Sequence, residues 1–383
     1  MFSNITEIEI PYLPKDFNLT DGHAYRSWAA DELQIIDNVS LFIKTTNRQM
    51  QHELEKEYIK DFLKLGKQTA DFHSNKYLLC SNASMGLEII ANFLRLHHMS
   101  LALSEPCFDN LADIYRRHDV VLHPFPDLYY SKPTDEFMSY LSSYSVDAFC
   151  FVTPNNPTGN HLTQENFIAL IKFCKENNKF LILDFCFRFY LPEDLIYDQY
   201  SLLRDSGIDY IVVEDTGKTW PTVELKAPFI TVPVNIYDEI YKIYTDMILH
   251  ISPFTLRLVD EFVKLSMKDN LQQVHSVVAK NRGVLYKNLQ GTFVSPVERP
   301  YASVAWLSLH TMTGWQFKEL LEKYNIHVLP GDYFYWSNHD KGKKFVRVAL
   351  VRDTDVFEKA ANLIGEICKN ESPEENTIEN LLA

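Results

Sequence analysis

The stretch VEDTGKTWPTVELKAPF, Val213 to Phe229, ends a run of strand-forming residues on two acids and turns at Thr216-Gly217. A lysine, Lys218, follows the turn at once, and a second, Lys226, stands eight residues on, beyond a Trp-Pro break. In open α/β sheets ligands bind beyond the carboxyl ends of the strands. A lysine just past an apolar strand is therefore a candidate site residue if other strand ends converge on it.

Outward from that point, apolar runs alternate with helical patterns. LALSEP (101–106), AFCFVTP (148–154), KFLILDF (179–185) and DYIVVED (209–215) read as strands, with helices at MGLEIIANFLRLHH (85–98) and QENFIALIKFCKENN (164–178). Near-continuous apolar strands separated by helices predict an α/β domain with a mostly parallel sheet covered on both faces. Upstream, residues 1–25 carry Pro11 and Pro14 and read as an irregular arm. Helical patterning starts near Arg26 and runs through LFIKTTNRQMQHELEKEYIKDFLKLGKQTADF. After about residue 265 a helical stretch, DEFVKLSMKDNLQQVHSVVAKNRGVLYKNL, leads to shorter strands at VAWLSLH (304–310), HVLPG (327–331) and FVRVALV (345–351). The expected division is an arm at 1–25, a large domain at 26–265, a smaller α+β domain at 266–370 and an acidic tail at 371–383.

Composition narrows the classes. The 383 residues are 46% hydrophobic and 13% aromatic, which suits a large, well-filled interior. A formal net charge of −14 argues against nucleic acid, which needs basic faces, and is compatible with a cationic small substrate. The six cysteines show no CxxC spacing and lie mostly in apolar runs, so they read as reduced core residues rather than metal ligands. No apolar run reaches the roughly 20 residues of a membrane span, and the N-terminus lacks a signal-peptide pattern. A cytoplasmic enzyme is the expectation.

Residues just past the other strands answer Lys218. After AFCFVTP comes NNPTG, with Asn156; KFLILDF ends on Asp184, an acid that burial makes costly unless it meets a cation or donor. The separations, 184 − 156 = 28 and 218 − 184 = 34, each match about one βα unit, which places the three on one rim. An amide, a buried acid and a lysine meet the needs of pyridoxal 5′-phosphate: the lysine forms the Schiff base, the acid keeps the pyridine nitrogen protonated, and the amide bonds the 3′-oxygen. Phosphate needs backbone N–H groups at a helix start and a cation. The turn Ser81 to Gly86, with Ala83, Ser84 and Met85, offers the first, and Lys226 the second. Phe108, in EPCFDN past another strand, could stack on the ring.

With these residues in place the chain resembles the fold-type I aminotransferase superfamily over nearly its whole length. NNPTG, Asp184, Lys218, VLPGDYF (328–334) and FVRVALVR (345–352) occur in the family's order. The resemblance implies that Arg347 clamps the substrate carboxylate, a task suited to its two-pronged donor. Two departures stand out. DFCF (184–187) replaces the usual DxxY, removing a tyrosine hydroxyl near the 3′-oxygen. KTWPTVELK replaces a Gly-rich segment ending in a phosphate-binding arginine, with Lys226 in the arginine's place.

These departures, with DGHA (21–24), PCFDNLADIYR and IYTDMILHISP (243–253), resemble the PLP-dependent L-arginine oxidases and γ-hydroxylases of enduracididine- and indolmycin-type biosynthesis. That resemblance implies use of O2 without metal or flavin, and conversion of L-arginine to 2-ketoarginine or its 4-hydroxy derivative with release of ammonia and hydrogen peroxide. A guanidinium needs carboxylates around it. Asp215, three residues before Lys218, is one, and the resemblance adds Thr6, Glu9 and Asp21, which makes the arm a lid over the substrate. By the same resemblance His23 takes part in the reaction with O2, a role for which an imidazole titrating near neutrality is suited. A homodimer is also implied. A conventional transaminase, or a lyase or cyclase acting on a hydroxyarginine, would use Lys218, Asp184 and Arg347 alike, and hydroxylase and desaturating oxidase share the same residues.

Overall fold

Strand β4 (Ala148–Val152), β5 (Phe180–Asp184) and β6 (Tyr210–Glu214) are buried at every residue, as the unbroken apolar runs AFCFV, FLILD and YIVVE require of strands covered on both faces. They form the centre of a seven-stranded sheet in a computed structural model that describes residues 4–47, 50–222 and 224–371. The remaining strands are β1 (Asn75–Leu79), β2 (Leu101–Glu105), β3 (Leu122–Pro126) and β7 (Phe229–Pro233), in the order β1-β7-β6-β5-β4-β2-β3. Only β7 runs against the rest, pairing antiparallel with both β1 and β6. Separate hydrophobic clusters cover the two faces.

The four strands read from the sequence are present within a residue or two of their expected ends. The expected helix at 85–98 is α2 (Ala83–Leu96), which starts two residues earlier because the Asn82 side chain accepts the Met85 N–H and caps it. The long helical pattern from Arg26 resolves into three helices, Ala30–Asp37, Val39–Thr45 and Gln51–Leu65. The pattern from residue 260 resolves into two, Pro253–Asp269 and Gln272–Leu289, broken where Asn270 and Leu271 take positive φ of 52° and 60°. Residue 265, the expected division, thus lies inside a helix.

A smaller antiparallel sheet follows: β8 (Val294–Pro296), β9 (Val304–Leu309), β10 (Leu329–Pro330) and β11 (Phe345–Ala349), in the order β10-β11-β9-β8. The chain ends its described part in the helix Thr354–Asn370, and the tail expected at 371–383 lies outside the described residues from 372 on.

The arm is more ordered than its prolines suggested. Residues Ile5–Glu9 form a short helix, α1, whose Ile5 and Ile8 are fully buried against Trp306, Leu329 and Phe334. Phe17–Asn18 pair parallel with Ile326–His327, and the Ala349 N–H donates to Leu19 O at 2.9 Å. Residues 17 and 18 thus form a separate two-stranded ladder with residues 326 and 327, and Leu19 reaches the edge of the small sheet, across more than 300 residues of sequence. No helix among the described residues is long and apolar enough to cross a membrane.

Candidate active site

A cavity of about 360 Å³ opens at the carboxyl ends of β4, β5 and β6, roofed by α1 and the DGHA segment. Every residue singled out from the sequence lines it except Met85, whose N–H is taken by the Asn82 side chain at 2.8 Å. Met85 instead packs its side chain against the apolar cluster beneath α2. Ala83 and Ser84 face the cavity from the first turn of α2, where backbone N–H groups have no partner inside the helix.

Lys218 stands at the centre. Its Nζ is 3.0 Å from His23 Nε2 and 3.4 Å from Asp215 Oδ2. Burial pulls the Lys218 pKa down, but the Asp215 carboxylate, with Cys186 and Asp21, outweighs it and leaves the ammonium favoured. Asp215 is buried, yet Lys218, His23 and Lys226 overcome that penalty and hold its carboxyl below the usual range. Asp215 is thus committed to the lysine, and its other oxygen accepts the Thr216 N–H at 2.8 Å.

His23 is oriented by Asp21. Its Nδ1 lies 2.5 Å from Asp21 Oδ1, which also accepts the His23 backbone N–H at 2.9 Å. Nε2 faces two donors, Lys218 Nζ and Lys226 Nζ, the latter at 2.9 Å. Lysine ammonium groups accept nothing, so the Nε2 lone pair points to them and the ring proton sits on Nδ1. Burial first, and then the Lys218 charge, lowers the His23 pKa, so the imidazole is neutral at physiological pH. Gly217 permits this crowding: a Cβ there would stand 2.7 Å from Lys226 Cε and 3.0 Å from His23 Cδ2. Asp21, expected at the substrate, thus has a nearer duty to His23.

Asp184 ends β5 fully buried, with Oδ1 accepting the Cys186 N–H at 2.9 Å. Burial raises its pKa, a shift that an adjacent cation would reverse by favouring the carboxylate. Phe187, in the place of the usual tyrosine, is an apolar side chain on the cavity wall and brings no hydroxyl. Lys226 also binds Glu224 Oε2 at 2.5 Å. Phe108 lines the wall and lies 5.9 Å beneath the Arg347 guanidinium.

Arg347 is buried to 1% exposure on β11. It donates from Nη1 to Asn156 Oδ1 at 3.2 Å and from Nη2 to Glu9 Oε1 at 2.7 Å, and Nη2 also donates to the Thr20 carbonyl. Its Nε has no partner. Burial pushes the Glu9 carboxyl up to about 7 despite the Arg347 charge. Thr6, one turn earlier on α1, faces the same cavity.

The two acids that end β6 part ways, because strand alternation sends neighbouring side chains to opposite faces. Glu214 points to the opposite side, fully buried, where Arg188 Nε donates at 2.8 Å and Tyr200 OH at 3.1 Å. Residues not singled out also matter. Arg352 donates to the carbonyls of Asn18, Asp21 and His23 and so holds DGHA in place. Asp109 Oδ2 accepts the Ile5 N–H at 2.8 Å and anchors α1. Asn82 had a visible signal, a polar residue at a helix start; Arg352 and Asp109 act across more than 100 residues and had none.

Outside the cavity, Glu57, Asp61 and Asp260 converge, but Lys264 Nζ stands among them at 2.5, 3.7 and 2.6 Å and already meets their charge.

The residues present fit pyridoxal phosphate: a lysine at a strand end, a buried acid at the next, an amide at a third, and a helix start with a lysine beside it. Comparison with known proteins agrees. The family model for aminotransferase class I and II matches residues 17–364. The structure of MppP soaked with the product 2-ketoarginine is 30% identical, superposes with a TM-score of 0.82, and covers 92% of this chain and 99% of that one. Aspartate aminotransferase of Pyrococcus horikoshii is 22% identical over 227 residues, 57% of this chain and 56% of its own length. LL-diaminopimelate aminotransferase of Prochlorococcus marinus is 22% identical over 230 residues, 56% of this chain and 54% of its own. The match thus spans little more than half of these curated relatives.

Proposed function

The chain belongs to the aminotransferase class I and II family, whose members depend on pyridoxal phosphate, and from that premise we propose that it oxidises L-arginine with O2. The products are 2-ketoarginine, its 4-hydroxy derivative or a 4,5-dehydro compound, with ammonia and hydrogen peroxide. The observation that carries this reading is the His23 imidazole, brought by the N-terminal arm to 3.0 Å from Lys218 Nζ and fixed by Asp21. A transaminase needs only the lysine to move protons at the substrate's α-carbon. A second base on a closing arm suits a reaction with two proton removals and an oxygen step. The likeness to MppP, soaked with 2-ketoarginine, supports the same substrate class.

Bound pyridoxal phosphate supplies an aldehyde for the substrate amine and a ring that accepts electrons when a proton leaves the adjacent carbon. The chain's own residues then divide the work. Lys218 holds the cofactor and carries a proton at Nζ. Asp184 holds the proton on the ring nitrogen, and Asn156 bonds the ring oxygen. The first turn of α2 and Lys226 take the phosphate. Arg347 orients the substrate carboxylate, which fixes the bond to be broken. His23, with its Nε2 lone pair released once Lys218 and Lys226 turn to the cofactor, takes a proton from the next carbon and handles protons during oxygen reduction. Phe187 in place of a tyrosine withdraws a donor from the ring oxygen and so changes where protons reside.

Charge favours a cationic substrate. Four carboxyl groups line the cavity (Glu9, Asp21, Asp184, Asp215) beside Lys218, Lys226 and Arg347, and the cofactor phosphate would add further negative charge. A homodimer fits the exposure of Leu41, Ile43 and Leu249 at 52%, 59% and 86%. The deciding experiment gives purified holoenzyme L-arginine without any oxo-acid acceptor. Continued O2 uptake with matching ammonia release is expected; a transaminase stalls after one equivalent.

A further inference from the structure

Ser84 and Asn110 reach each other from the second positions of two helices. Ser84 follows Ala83 in α2, and Asn110 follows Asp109 in α3 (Asp109–Arg117). Four strands of the large sheet separate β1, which leads into α2, from β2, which leads into α3. The helix starts meet nonetheless: Asn110 Nδ2 donates to Ser84 Oγ at 3.0 Å, and both side chains line the cavity.

The direction of that bond decides where the serine hydrogen goes. A hydroxyl has one hydrogen and two lone pairs, and an amide nitrogen accepts nothing. With Asn110 filling a lone pair, the Ser84 hydrogen cannot return along the same line, and no other described residue accepts it. It is left to the end of the cavity where the N–H groups of Ala83 and Ser84 have no partner inside their helix. An anion with several oxygens suits that set of donors.

We propose that Asn110 is a positioning residue for the cofactor phosphate: it acts through Ser84, holding the hydroxyl so that it donates to a phosphate oxygen. This rests on the reading that the phosphate sits at the start of α2, and extends it to the residue that sets the donor's direction.

Neutral donors matter here because cations are scarce at that end. Of the lysines and arginine that line the cavity, Lys218 is reserved for the cofactor aldehyde, and Arg347 is held by Asn156, Glu9 and the Thr20 carbonyl. Lys226 remains. It is a point charge in the place of a two-pronged arginine, and Glu224 Oε2 already meets it at 2.5 Å. A hydroxyl whose hydrogen is aimed in advance loses little rotational freedom when the anion arrives. Asp109, one residue before Asn110, turns to the arm instead, so one helical turn serves two ends of the cavity.

The test titrates the full-length chain, freed of cofactor, with pyridoxal 5′-phosphate and with pyridoxal, and follows the visible absorbance of the bound ring. Ser84→Ala is expected to weaken pyridoxal phosphate on the order of 10- to 100-fold, and Asn110→Ala on the order of 10-fold. Pyridoxal lacks the phosphate, so its affinity should stay within about twofold in both variants, which also checks that they fold. Adding N110A to S84A should change the phosphate-bearing probe by less than about twofold. Asn110→Asp keeps the size but accepts the serine hydrogen and repels the anion, and should weaken it on the order of 100-fold. In the holoenzyme, the phosphorus-31 resonance of N110A should move in the direction of S84A. If N110A retains its full effect on the S84A background, Asn110 touches the phosphate directly and the proposal fails. It fails too if N110A weakens both probes alike, or if N110D binds as tightly as wild type. An effect of S84A with none of N110A rejects Asn110 alone. No effect of S84A on pyridoxal phosphate rejects the phosphate reading and the proposal together.

Discussion

Arg352 donates from Nη1 to the carbonyl oxygen of His23 at 3.0 Å, and its Nη2 and Nε reach the carbonyls of Asp21 and Asn18 at 2.5 and 2.6 Å. A buried guanidinium is thus satisfied by backbone oxygens, three from one short segment and one from Val351 at 2.8 Å, with burial lowering its pKa to about 10. It is a positioning residue for the imidazole. Arg352→Lys keeps the charge and loses the fork. The expected result is a fall of about 10- to 100-fold in arginine oxidation, with the visible absorbance of bound cofactor unchanged and product shifted away from the hydroxylated compound. Cofactor loss in step with activity would assign Arg352 a general structural role instead.

His23→Ala is expected to retain cofactor and arginine binding and to lose hydroxylated product, read by mass spectrometry of products formed in labelled water. An unchanged product ratio removes His23 from the mechanism. The wild-type pH profile carries the same information. Because burial and Lys218 lower the His23 pKa below its ordinary 6.5, the neutral base persists as pH falls, and the acid limb of kcat/KM should lie below that value.

Asp109 makes a different kind of contribution. Its Oδ2 anchors the start of α1, and burial pushes its carboxyl up to about 7. Asp109→Ala should raise the KM for arginine several-fold and speed hydrogen exchange in the arm, with little change in cofactor content. Asp109→Asn still offers an oxygen to the Ile5 N–H and should restore most of both. If both variants leave arm exchange at the wild-type rate, Asp109 does not anchor the lid.

Behind the sheet, Arg188→Ala would strand Glu214 in the core and is expected to cost about 3–5 kcal/mol of stability. Glu214 also predicts a pH dependence. Burial raises its folded pKa from 4.5 to about 7, so its contribution is fully present below 4.5 and lost as pH rises through 7. That interval corresponds to about 3 kcal/mol. The Tm of Glu214→Gln, measured against wild type from pH 5 to 8, should therefore improve as pH rises. A constant difference across that range would contradict the raised pKa.

The strands at 101, 148, 180 and 210 and the rim formed by Asn156, Asp184 and Lys218 were legible because burial on both faces demands unbroken apolar runs, and because ligand residues follow such runs. β3 was not, since LHPFP carries two prolines that an edge strand tolerates and a central one does not. β7 was missed because FITVP reverses direction after the TWPTVELK excursion, and no local pattern announces an antiparallel return. The arm read as irregular because its order comes from Ile5 and Ile8 finding a distant apolar cluster, a tertiary effect. Thr6, Glu9 and Asp21 came from family resemblance, and the structure brings them to the cavity while giving Glu9 and Asp21 partners inside the chain. The sidedness of Glu214 was readable in principle from alternation along β6.

Residues 17–25 have a consequence for how such a chain can be dissected. Leu19 is stitched to His327 and to Ala349 at the end of a small-sheet strand, while the Ala24 N–H donates to Gly217 O at 3.2 Å, in the turn that carries Lys218. The segment is a seam joining both halves of the molecule as well as a cover for its cavity. Deleting it would not yield the same catalyst with its door removed. It would remove one seam between the two halves, withdraw the imidazole and free the lysine in one stroke, so that access to solvent and readiness for chemistry cannot be separated by shortening the chain.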